Sequence, residues 1–243
     1  MKKRLAWIAL IIIVILGGSL ILLNKTVAGM PDLEIWHTAE LKQEFAARNR
    51  VESYGLEEYL AQEAELFAAL DSRFEGSLKP DPTLEVSRFE PDGFNNPLTF
   101  PKNWNRTFEL VPEEIRGGAL LLHGLSDSPY SLRRVGEILF EQGYYVLGLR
   151  LPGHGTLPAG LLSARVEDWE AAVELAFSAV KQRTGQRGPL LIAGYSNGGT
   201  LALQYAISAL VDDRLPQPDK LILFSPAIGI TSLARVADWH RLV

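Results

Sequence analysis

The stretch Leu190-Leu191-Ile192-Ala193-Gly194-Tyr195-Ser196-Asn197-Gly198-Gly199 constrains the fold more than any other part of the chain. A short apolar run bounded by Pro189 fits a buried strand, and an Ala/Leu-rich stretch from Thr200 to Leu210 fits a helix. Between them lies Gly-x-Ser-x-Gly. A serine at a strand-to-helix junction sits in a strained turn, so the residues two before and two after it must be small enough for the backbones to pass. Gly194 and Gly198 meet that requirement, and the pattern predicts a nucleophile elbow at Ser196. A Gly-rich turn carrying a solvent-exposed serine shares the five-residue pattern. The strand before and the helix after favour the elbow.

The same alternation extends upstream and downstream. Thr107 to Val111 reads as a strand, Ala119 to Leu122 as a continuously buried strand, Tyr144 to Leu149 as another, and Leu221 to Phe224 as the strand after the elbow helix. Between the second and third, Ser128 is placed to cap a helix with Pro129 at its first position. Its apolar face would be Leu132, Val135, Ile138 and Leu139, and Gly143 would end it. A longer helix is expected through Val166, Trp169, Val173, Phe177 and Val180, at spacings of three and four. Strands without alternation, separated by amphipathic helices, predict an α/β domain from 106 to 243 with a mostly parallel sheet covered on both faces. A hydrophobic content of 47% supports a sizeable core.

Upstream, Leu5 to Leu23 is 19 residues without a charge, which as a helix matches the roughly 30 Å bilayer core. Lys2, Lys3 and Arg4 precede it and Lys25 follows, so residues 1–4 are expected on the cytoplasmic side and the rest of the chain across the membrane, in the periplasm of a bacterium. A secretory signal peptide is the rival reading. The apolar run continues past Gly17-Gly18, and only Thr26-Val27-Ala28 resembles a cleavage site, which favours an uncleaved anchor. Residues 24–105 read as a helical extension and a loop. Leu41 with Phe45, then Leu56, Leu60, Phe67 and Leu70, predict two amphipathic helices packed on the main domain or forming a stalk, with His37 as a packed or capping residue. Pro80, Pro82, Pro91, Pro97 and Pro101 predict a surface-hugging loop that marks the domain boundary.

A net charge of -5 provides no basic field for nucleic acid. The absence of cysteine excludes a disulfide, a thiolate nucleophile and a Cys-ligated metal. His37, His123, His154 and His240 have no short ligand spacing, and Gly194 to Gly199 lacks the Lys-Ser/Thr ending of a phosphate-binding loop. No metal and no cofactor is expected, and the oligomeric state is left open.

A serine hydroxyl needs a base to take its proton, and the oxyanion it creates needs donors already in place. His123-Gly124-Leu125-Ser126-Asp127 follows a strand directly, at the carboxyl end where open α/β sheets place ligands. With Gly124 allowing a bend, the Leu125 N–H can turn toward the elbow and join that of Asn197 at the helix N-terminus.

Gly-Tyr-Ser-Asn-Gly-Gly at 194–199, His-Gly-Leu at 123–125 and Leu-Pro-Gly-His-Gly at 151–155 together resemble an α/β-hydrolase of the serine aminopeptidase-like group, which includes monoacylglycerol lipases, lysophospholipases and small carboxylesterases. The resemblance covers roughly Arg106 to Ile230. It implies that Ser196 is the nucleophile, that Leu125 and Asn197 supply the oxyanion hole, and that His123, Gly124 and His154 border the pocket. The implied reaction is hydrolysis of a carboxylic ester of a monoacyl lipid or another small hydrophobic ester through an acyl-Ser196 intermediate. Peptidase, thioesterase and acyltransferase activities use the same parts, and a catalytically silent, membrane-tethered binding module is the reading from another class. The group orders its triad as Ser, acid, His, so His123, His154 and Asp127 precede the nucleophile and read as bracing or turn residues. After Ser196 come only Asp212, Asp213, Asp219, Asp238 and His240. The first three fall at the amino-terminal edge of the sheet, and Asp238 and His240 sit within an apolar stretch that reads as the start of a cap after about 230. The acid and the histidine are therefore expected beyond Val243, with the fold incomplete at its carboxyl end.

Overall fold

The computed structural model describes residues 2–30, 33–51, 53–74, 88–90 and 93–229, in two compact units, 1–38 and 39–243. In the first unit, α1 (Lys2–Ala28) is one uninterrupted helix, and its described side chains are exposed from Leu10 to Ala28. A helix that is apolar all round is not stable in water by itself. Among the described residues it is the one helix long and apolar enough to cross a membrane, by length and composition. The short α2 (Ile35–Thr38) is capped by His37, whose Nδ1 accepts the Glu34 N–H at 3.0 Å.

The second unit opens without the first of the two expected amphipathic helices. Leu41 to Phe45 is irregular and leads into a 3-10 turn at Ala47–Asn49. The reason is long-range: Phe45 is buried against the rings of Tyr54 and Tyr59, at 5.6 and 5.2 Å, and Glu44 reaches Arg150. Tertiary contacts of this kind outweigh helix propensity. The expected second helix is present as α3 (Leu56–Phe74). Glu58 accepts the Gly55 N–H at 2.8 Å to close its first turn, and Tyr59, Glu63, Leu66, Phe67 and Leu70 form its buried stripe.

The sheet begins with β1 (Phe108–Leu110), followed by β2 (Gly117–Leu122). A 3-10 turn at Pro129–Leu132 then leads into α4 (Arg133–Glu141) and β3 (Tyr144–Leu149). Next come α5 (Gly160–Ser163), α6 (Val166–Thr184), β4 (Leu190–Tyr195), α7 (Asn197–Ala209) and β5 (Lys220–Phe224). Two details near α4 depart from expectation. The Ser128 hydroxyl does not cap the turn, because it donates to Asn105 Oδ1 at 2.7 Å, and Ile138 is exposed, because the 3-10 turn shifts the apolar face to Leu132, Val135 and Leu139.

The strand order is β1-β3-β2-β4-β5, parallel except for β1, which runs antiparallel to β3. The chain steps from β2 outward to β3, then crosses back to β4 on the other side of β2. That reversal makes the carboxyl ends of β2 and β4 a topological switch point, where open sheets leave a crevice. Alternate side chains divide the core. Leu120, Leu122, Leu147, Leu149 and Ile192 pack under α6 and α7, and Ala119, Leu121, Val146, Leu191 and Ala193 pack on Phe108, Leu132 and Leu139. Tyr59 of α3 joins the first cluster, so this helix belongs to the core.

Candidate active site

Ser196 follows β4 directly and caps α7 with φ 50° and ψ -114°, a conformation that L-residues avoid at a cost of about 1–3 kcal/mol. Its surroundings hold it there. The Ser196 N–H donates to Phe224 O at 2.9 Å, and Ser196 O accepts from the N–H groups of Ala227 and Thr200, each at 3.2 Å. The flanking glycines are sterically required. A Cβ on Gly194 would lie 2.4 Å from Gly198 O, and one on Gly198 would lie 2.1 Å from Leu122 O and 2.5 Å from His123 O. The elbow is thus pressed against the end of β2.

The turn after β2 lies alongside. A Cβ on Gly124 would come within 3.1 Å of Tyr195 Cδ1 and 3.5 Å of Ser196 Cβ. Leu125 is 56% exposed and Ser126 has φ 54°. Asn197 occupies the first position of α7, where main-chain N–H groups lack helical acceptors. Among the described residues neither the Leu125 nor the Asn197 N–H donates to an acceptor, and Asn197 Nδ2 is buried without a partner.

His123 and His154 are both committed elsewhere. His123 Nε2 accepts the Leu151 N–H at 3.0 Å, and because a main-chain N–H can only donate, the ring proton is on Nδ1, 2.9 Å from Gly124 O. Burial, and then neighbouring His154, push the His123 pKa down to about 3, so the ring stays neutral. His154 Nδ1 lies 3.0 Å from Pro152 O, and the ring packs between His123 and Trp169 at 4.9 and 5.5 Å. Burial lowers its pKa as well, and its Nε2 has no partner among the described residues. No hydrogen bond joins either ring to Ser196 among the described residues.

Nor does a hydrogen bond join an acid to Ser196 among the described residues. Asp127 Oδ1 accepts the Ser128 N–H at 2.7 Å, Asp212 pairs with Arg214 at 2.6 Å, and Asp219 accepts the Leu190 N–H at 2.7 Å at the start of β4, the sheet edge opposite Ser196. Asp238 and His240, with the expected cap, lie outside the described residues. A cavity of about 410 Å³ opens beside the turn, lined by Arg88, Ser126, Asp127, His154, Thr156 and Leu161 among others, with Arg88 Nη2 donating to Gly155 O at 2.6 Å. A further buried group is Arg150, 1% exposed at the end of β3 and paired with Glu44 and Glu63. Its signal in the sequence is a lone charge closing an apolar run, Leu147-Gly148-Leu149-Arg150-Leu151.

A family model described as serine aminopeptidase, S33, matches residues 113–243, more than half of the chain. The chain belongs to the serine aminopeptidase S33 family. The thermostable monoacylglycerol lipase of Bacillus sp. (strain H-257) is 38% identical over 117 residues, covering 48% of this chain and 43% of that protein. Among solved structures, the Paleococcus ferrophilus monoacylglycerol lipase is 21% identical with a TM-score of 0.42, over 56% of this chain and 51% of that one. A soluble variant of the Saccharomyces cerevisiae monoglyceride lipase is 22% identical with a TM-score of 0.44, over 56% and 45%. The chain therefore spans about half the length of these proteins. The S33 family has the α/β-hydrolase fold, and the sheet of β1 to β5, flanked by helices on both faces, is the part of that fold described for this chain.

Proposed function

We propose that this protein is a membrane-anchored serine hydrolase that cleaves the carboxylic ester of a monoacyl lipid, or another small hydrophobic ester, through an acyl-Ser196 intermediate. The observation that carries this reading is the strained Ser196, held between a sterically closed pair of glycines and the turn at Gly124. In the proposed reaction Ser196 Oγ attacks the ester carbonyl while a general base takes its proton. The N–H groups of Leu125 and Asn197 receive the negative charge on the carbonyl oxygen, the alcohol leaves, and water then releases the acid. His123 is neutral with both ring nitrogens engaged, so the base and its acid partner are proposed to come from outside the described residues. The ester and monoacyl preference extends the name of the Bacillus relative to this chain. The anchor reading rests on α1, and the excess of Lys2, Lys3 and Arg4 over Lys25 favours a hydrolase domain on the non-cytoplasmic side.

The test is turnover of a panel of p-nitrophenyl esters and monoacylglycerols of graded length, beside matched anilides and thioesters, by protein made from its complete reading frame. Cleavage of the oxygen esters, reduced roughly 10⁶-fold by Ser196→Ala, supports the reading. Preferential cleavage of the anilides would make it a peptidase. A folded protein without turnover on any substrate would leave a binding module on the same fold.

A further inference from the structure

Behind the turn lies a charge cluster that joins two distant parts of the chain. Arg150 and Glu63 have side chains only 1% and 2% exposed, and Glu44 only 13%. Arg150 Nη2 meets Glu44 Oε1 at 2.8 Å, Nη1 meets Glu44 Oε2 at 3.2 Å, and Nε meets Glu63 Oε2 at 3.0 Å. Glu63 also accepts the Thr107 N–H at 2.9 Å and hydroxyl at 2.7 Å, with Arg106 Nε 3.8 Å away. Burial works against the guanidinium charge, and Glu44 and Glu63 more than offset it, holding the Arg150 pKa above its ordinary value. Both carboxylates come from residues outside the matched 113–243.

From Arg150 the contacts run to the elbow without a gap. Nη1 donates to His154 O at 2.9 Å, and the Tyr59 hydroxyl of α3 donates to Arg150 O at 2.6 Å. The next residue, Leu151, donates its N–H to His123 Nε2, and the opposite side of that ring holds Gly124 O. The Gly124 C=O and the Leu125 N–H belong to one planar trans peptide and point in opposite directions. Fixing the carbonyl therefore fixes the N–H.

We propose that Glu44 and Glu63 are positioning residues of the active site: through Arg150, Leu151 and His123 they set the direction of the Leu125 N–H, which makes the segment from Ala39 through α3 a working part of the hydrolase. The role of that N–H as an oxyanion donor rests on the proposed function above. Removing either carboxylate takes away part of the charge-assisted bonding that fixes the guanidinium, which then shifts toward the partner that remains. Leu151 moves with it, His123 loses the bond that fixes its tautomer, and the Gly124–Leu125 peptide, which has no Cβ at 124, is free to rotate.

The experiment uses the full chain in detergent with ¹⁵N-labelled histidine, comparing wild type, Glu63→Gln, Glu63→Asp and Glu44→Gln. One readout is the exchange protection of the His123 Nδ1 proton. The other is inactivation by a fluorophosphonate, resolved into its binding constant and its chemical rate. Folded Glu63→Gln should lose Nδ1-proton protection at least about 10-fold and slow the chemical step about 10²-fold, the cost of one oxyanion donor, with the binding constant within about twofold. Glu63→Asp should recover part of both. Should Glu63→Gln fail to fold, Glu44→Gln, whose carboxylate is the more exposed, is held to the same expectations at smaller size. Protection and chemical rate both within about twofold of wild type in a folded variant would overturn the proposal and make the cluster a stability element alone. If the wild type is not inactivated at all, the reading of Ser196 as nucleophile fails, and the Nδ1 proton still decides whether the clamp exists.

Discussion

The elbow and the Arg150 cluster lie on either side of His123, and they are built on opposite principles. The elbow is compact in sequence: Gly194, Ser196 and Gly198 fall within five residues, and steric exclusion by main-chain atoms, its own and those at the end of β2, forces the geometry. The Arg150 cluster is assembled from a distance, with Glu44 and Arg150 106 residues apart in sequence, and it depends on charges that are costly to bury unless all partners arrive. A local steric device tolerates almost no substitution at its contact points. A dispersed electrostatic one fails in proportion to the charge left unmatched.

The largest expected effect is therefore at the elbow. Gly198→Ala places a methyl 2.1 Å from Leu122 O, main chain against main chain, with no flexible side chain to yield. We predict a loss above about 4 kcal/mol, which urea unfolding or the absence of soluble folded protein will show. Next in size, Glu63→Gln leaves Arg150 paired with Glu44 alone and should cost about 1.5–3 kcal/mol, with Glu44→Gln costing less because that carboxylate is nearer to water. The contrast sharpens if Arg150→Met, Glu44→Gln and Glu63→Gln are combined, which removes all three charges and leaves an amide oxygen at 63 to accept from Thr107. Removing every charge of a buried cluster together leaves none to desolvate, so the triple variant should regain stability relative to Glu63→Gln, whereas no second change rescues Gly198→Ala. Equal failure of the triple and single variants would break the comparison.

A smaller effect follows from His123. Its pKa is about 3 in the folded protein against an ordinary value of 6.5, so the folded state binds fewer protons than the unfolded state between those values. The stabilisation is complete above pH 6.5 and is lost as the pH falls toward 3. The slope from this residue is about 1.4 kcal/mol per pH unit, and His123→Gln should flatten the pH dependence of unfolding free energy by about that amount. The smallest effect belongs to the exposed i,i+3 pair of Arg134 and Glu137, which is neither steric nor buried. Arg134→Ala should leave the melting temperature within measurement scatter.

The same contrast explains what could be read from the sequence. The strand Tyr144 to Leu149 was expected at the bounds it has, and the elbow strand, turn and helix fall where apolar runs and glycine spacing place them, because both signals are short-range. Leu41 to Phe45 misled because an i,i+4 apolar pair fits a helix equally well as an irregular strand of chain pinned by Tyr54, Tyr59 and Arg150, and pattern alone does not reveal those partners. Ser128 misled similarly: the residue type and the following Pro129 suit a cap, but Asn105 takes the hydroxyl from outside the local sequence. At the candidate site, the sequence marked the serine and the turn. It did not mark Glu44 and Glu63, which look like ordinary solvated charges until Arg150 is placed between them.

Among the described residues, three non-glycine residues have positive φ, namely Ser126, Ser196 and Ser225, and all three are serines. The central claim is that only the one in the elbow is a nucleophile. Fluorophosphonate treatment of protein made from its complete reading frame, followed by mass-spectrometric mapping of the adduct, tests this directly. The account predicts one adduct per chain, on Ser196, absent from Ser196→Ala. An adduct on Ser126 or Ser225 instead, or none on a folded chain, would contradict it.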